Sequence, residues 1–87
     1  MPVIIGKRED KLVVLIGDKE NSFPCNPDEL DLSKFRDYYF ALRTVKRDLV
    51  KMNGLVNEEG WDLLTEIDRR YEARYSRVEE QFWSWWI

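Results

Sequence analysis

From Glu58 to Ile87 the chain runs thirty residues without a proline, and its only glycine there, Gly60, falls in the first turn. Leu64, Tyr71, Val78 and Trp85 recur every seven residues, with Ile67, Tyr75 and Phe82 three or four places away. Apolar side chains at that spacing line one side of a helix. Such a rod cannot bury its stripe alone, so the remaining 57 residues have to supply a surface for it.

The middle of the chain repeats the pattern. Leu32, Phe35, Tyr39, Leu42, Val45, Leu49 and Met52 step by three or four, which predicts an amphipathic helix about 30 Å long. Asn26-Pro27-Asp28-Glu29 carries start signals: a capping asparagine, proline at the first helical position and acids in the first turn. The first helix is therefore placed over residues 27–53, with a re-capping at Asp31 or Ser33 as a variant of the same reading. Asn53-Gly54 is a stop signal. Asn57 caps a second helix over 57–86. A connection this short makes the two helices antiparallel neighbours.

Residues 1–25 read differently. Val3-Ile4-Ile5 and Leu12-Val13-Val14-Leu15-Ile16 are rich in β-branched residues and flank the polar Lys7-Arg8-Glu9-Asp10, the signature of a hairpin. Both strands are apolar on both faces, so one face packs on the helices and the other is left for a neighbouring chain or for solvent. Gly17 to Asn21 is a turn signal. Ser22 to Cys25 offers a short third strand, and Pro24, lacking an N–H, confines it to an edge. The expected architecture is a single α+β domain over residues 1–87, ββ(β)αα in order.

Composition narrows the chemistry. Histidine is absent and Cys25 is the only cysteine, which removes the usual general base near neutral pH and nearly every familiar zinc arrangement. The glycines at 6, 17, 54 and 60 are too scattered for a phosphate loop. No cofactor, metal or catalytic residue is expected, and Cys25 is read as a small apolar packing residue. The carboxylates Glu58, Glu59, Asp62 and Glu66 suit the positive end of a helix, and Glu66 stands four residues before Arg70 as a helix pair. Glu79 and Glu80 lie near its end. A lone cysteine, no leader peptide and no run of about 18 apolar residues make a cytoplasmic protein without a membrane partner the expectation.

The net charge of −3 is unevenly spread. Residues 32–52 carry six basic and two acidic side chains, whereas residues 53–87 carry four and eight. Arg36, Phe40, Arg43, Arg47 and Lys51 fall within roughly 80° of one another on the middle helix. Cations around an exposed ring suit an acidic protein surface or a nucleic-acid backbone, and arginine favours bidentate contact with either. The alternative is a solvated charged face with Phe40 tucked under the hairpin. The C-terminal end holds three of the four tryptophans. Phe82, Trp85 and Trp86 lie near the apolar stripe and Trp83 about 100° from it, so the cluster either caps the core or anchors a partner.

The sequence thus predicts a non-enzymatic protein-binding module, a regulator or inhibitor docking on a larger protein, with nucleic-acid-handling proteins among the options. Its contact residues would be Arg36, Phe40, Arg43, Arg47, Lys51, Trp83 and Trp86, and the protein itself a monomer or homodimer. A structural subunit assembling through its helices, or a weak nucleic-acid binder using the basic face, are the competing readings.

Overall fold

A computed structural model describes residues 3–52 and 56–84, with side chains up to residue 78. Three antiparallel strands form a meander in the order β1-β2-β3: β1 Val3–Arg8, β2 Lys11–Ile16 and β3 Lys19–Pro24. A single 3-10 turn, Pro27–Glu29, leads into helix α1, Leu32–Lys51, and then helix α2, Glu58–Ser84.

The third strand begins earlier than expected. Gly17, in a left-handed conformation (φ 64°), and Asp18 close a two-residue turn, so the polar Lys19-Glu20-Asn21 pairs directly with Ile16, Leu15 and Val14. A strand on the sheet's edge can pair through its main chain without apolar side chains on both faces. β3 is such an edge.

The segment 27–53 is broken near its start, as in the re-capped variant of the reading and not as one helix. Asn26 caps only the 3-10 turn, accepting from the Asp28 N–H at 3.2 Å. Leu30 then returns to extended backbone. Asp31 opens α1, its Oδ1 accepting from the Lys34 N–H at 2.8 Å. Two caps five residues apart compete, and Asp31 is the one that continues into the apolar stripe.

One face of the sheet, Val3, Ile5, Leu12, Val14, Ile16 and Phe23, meets Phe35, Tyr39, Leu42, Val45 and Leu49 of α1 and Leu64, Ile67 and Tyr71 of α2. Most of these side chains are fully buried, each stabilising by about 1.5–3 kcal/mol. The helices run antiparallel. Tyr39 stacks on Tyr75 with centroids 4.4 Å apart, and seven residues further along α1 Lys46 reaches Asp68, seven residues back on α2. Tyr71 ties the helical layer to the sheet by donating its hydroxyl to the Pro24 carbonyl at 2.6 Å. Burial, reinforced by Tyr38 and Cys25, holds that phenol's pKa well above its usual range. Arg74 and Arg77 donate to the Pro27 carbonyl and the Asp28 carboxylate, fastening the 3-10 turn to α2.

Gly60 is where α2 meets the sheet. A Cβ there would stand 2.5 Å from the Asn57 Oδ1 that caps the helix and 3.0 Å from the Ile5 Cβ. Alanine is the better helix former by about 1 kcal/mol, yet Gly60→Ala is expected to destabilise by about 1–3 kcal/mol. It displaces the cap and overpacks Ile5. Urea unfolding of the two proteins checks the sign.

Candidate protein-docking face

The stripe that α1 buries determines what it leaves outside. With Phe35, Tyr39, Leu42, Val45 and Leu49 committed to the sheet and α2, a step of 100° per residue puts Leu32, Arg36, Phe40, Arg43, Arg47, Val50 and Lys51 in one sector about 100° wide. Asp37 and Asp48 fall outside it, on the flank away from α2. The sector carries four cations and no acid.

It is also apolar. Among the described residues the exposed large hydrophobic side chains are Phe40 (59%), Val50 (55%), Leu32 (44%) and Ile4 (60%). Three of the four stand in this one sector, along about 27 Å of helix. Phe40 is not tucked under the sheet; its ring touches Tyr39 edge-on, with centroids 5.5 Å apart, and otherwise faces solvent.

The cations differ in what holds them. Arg43 is already engaged: it pairs with Glu72, its Nε donates to the Tyr39 hydroxyl at 3.2 Å, and its guanidinium lies 5.3 Å from that ring's centroid. The Tyr39 hydroxyl donates in turn to Glu72. Arg43 thus works as a brace between helices. Arg36, Arg47 and Lys51 are exposed and have no ion-pair partner among the described residues. Arg69, exposed on the outer side of α2, is in the same position.

The structure therefore brings Arg36, Phe40, Arg47 and Lys51 together on one open surface and binds Arg43 into its margin. The side chains of Trp83 and Trp86, the other two expected contact residues, lie outside the described set. Leu32, counted with the buried stripe by its three-residue step to Phe35, is exposed because its helical phase is that of Val50, on the open side of α1. Val50 is an addition. Val50 could have been found in the sequence, since it lies about 100° from the Leu49 position in the stripe.

Several other titratable side chains and the lone cysteine are held within the fold. Asp68, 6% exposed, takes the Lys46 ammonium at 2.8 Å. Glu66 and Arg70 pair at 3.0 Å along α2. Cys25 is buried as a free thiol, and its N–H donates to the Asp10 carbonyl. Among the described residues no cluster of acids, cysteine and histidine is arranged to hold a metal ion, and no helix is long and apolar enough to cross a membrane. Comparison with family models, curated proteins and solved structures gave no match.

Proposed function

We propose that the protein is a non-enzymatic binding module that docks on an acidic surface of a larger protein through the outer face of α1, acting as a regulator or inhibitor of what it covers. The observation that carries this reading is the coincidence, in one helical sector, of three solvent-standing apolar side chains with arginines that have no ion-pair partner among the described residues. Either feature alone is ordinary surface. Together they are the anatomy of a contact patch: an apolar centre at Phe40 within a rim of Arg36, Arg47 and Lys51. The rest of the molecule suits a rigid platform, its helices held by Arg43–Glu72 and Lys46–Asp68. The cytoplasm fits this role, since a free buried Cys25 needs no oxidising compartment.

The same cations favour a nucleic-acid backbone as the second reading. The test separates the two. Protein captured from the native cell by the wild type is identified by mass spectrometry, and its affinity is measured for Arg36→Glu/Arg47→Glu and for Phe40→Ala. Each variant is expected to lose roughly 10- to 100-fold in affinity while keeping its helical circular dichroism and its stability to within about 0.5 kcal/mol. Undiminished affinity in both variants would remove the face from the function. Binding of duplex or single-stranded DNA that weakens steeply with salt would favour the second reading.

A further inference from the structure

The open edge of β3 presents a second surface, on the flank of α1 away from α2. The Cys25 N–H bonds to the Asp10 carbonyl at 2.8 Å, which fixes the alternation of the β2–β3 ladder. Lys19, Asn21 and Phe23 turn their main-chain groups toward β2, and Glu20, Ser22 and Pro24 turn theirs away. The outward carbonyl of Pro24 is taken by the Tyr71 hydroxyl. The N–H and C=O groups of Glu20 and Ser22 have no partner among the described residues. The opposite edge of the sheet is crowded: a Cβ on Gly60 would stand 3.5 Å from the Ile5 carbonyl oxygen of β1.

Beside this free edge lies a groove of about 600 Å³ between β3 and α1, lined by Ile16, Asn21, Ala41, Val45, Asp48 and Met52 among others. It exists because the side chains that β3 turns toward α1 at this end are Lys19 and Asn21, which do not fill the space as Phe23 does. At the other end Phe23 closes the gap edge-on against Tyr38, with centroids 6.2 Å apart. One strand therefore supplies both the outward main-chain groups of Glu20 and Ser22, unpaired among the described residues, and the wall of a partly apolar trough.

We propose that this edge receives an extended peptide segment of a partner protein, which adds to β3 as a fourth strand and sets an apolar side chain on the Ile16–Val45–Met52 floor. Unpaired alternating N–H and C=O groups select an extended main chain, and the trough selects the side chain. A second copy of β3 fits poorly. Its own groove-facing side chains are Lys19, Asn21 and Phe23, and Phe23 is only 2% exposed, held in its own core.

Panning the full chain against a displayed library of random dodecapeptides tests this, with enriched peptides synthesised and titrated. The expected peptides alternate apolar residues and slow hydrogen exchange at the Glu20 and Ser22 amides. Ser22→Pro, which removes an outward N–H without touching the β2 ladder, and Ala41→Trp, which blocks the groove from an exposed position, should each weaken binding roughly ten-fold or more. Arg36→Glu/Arg47→Glu should leave it unchanged, so the outcome is independent of the docking face on α1. If Ser22→Pro does not fold, Ala41→Trp and amide exchange decide. The proposal is overturned by the absence of enriched peptides, or by peptides that bind Ala41→Trp as tightly as wild type. It is equally overturned if exchange at Glu20 and Ser22 slows with protein concentration alone, which would make a second copy the occupant.

Discussion

Phe35→Ala is expected to remove about 3–5 kcal/mol of stability, whereas Phe40→Ala, the same change five residues along the same helix, should cost less than about 0.5 kcal/mol. Phe35 is fully buried, stacks on Tyr71 at 5.9 Å with ring planes 10° apart, leans on Tyr39, and carries the Arg74 guanidinium 4.6 Å from its centroid. Its loss forfeits both transfer free energy and contacts that neighbours anchored in the sheet and α2 cannot collapse to restore. A domain of this length is stable by roughly 4–13 kcal/mol, so the variant should be largely unfolded or unfold at a much lower urea concentration. Equal midpoints for the two alanine variants would mean that the buried and open faces of α1 have been assigned the wrong way round.

The second large effect concerns Lys46 and Asp68. The two partners are unequally buried: the lysine side chain is 32% exposed and the aspartate 8%. Lys46→Met strands a carboxylate between the helices and should cost about 3–5 kcal/mol. Asp68→Leu leaves an ammonium that can swing its flexible stem into water, and should cost about 1–3 kcal/mol. The double variant Lys46→Met/Asp68→Leu replaces the pair by apolar packing and is expected near wild-type stability. Chemical denaturation of all four proteins forms a double-mutant cycle. Additive losses in the double variant would show that the two groups do not act on each other.

The two helices were legible in the sequence because a period of three to four leaves a signature that chain neighbours cannot hide. The meander was legible in its apolar half only. Lys19-Glu20-Asn21 looks like a loop, and it is a strand because the turn at Gly17-Asp18 delivers it to a main-chain partner, a property that side-chain pattern does not encode. The break at Leu30 is written in two capping residues, of which Asp31 is the one that leads into the apolar stripe. On the open side of α1, phase alone placed Arg36, Phe40, Arg47 and Lys51 together, as the structure does. It could not separate them from Arg43, whose partner Glu72 lies 29 positions away and is brought near only by the packing of α2. Leu32 failed because a three-residue step to Phe35 falls about 60° short of a full turn, which leaves it in phase with Val50 on the open side.

Pro24 has a further consequence. It occupies the next outward position after Ser22, where it can offer no hydrogen to an arriving chain, and its oxygen is already spoken for by Tyr71. Anything zipping onto that border runs out of rungs within a few residues. The molecule can thus keep a short landing strip for another polypeptide without inviting the open-ended stacking that leads to fibrils.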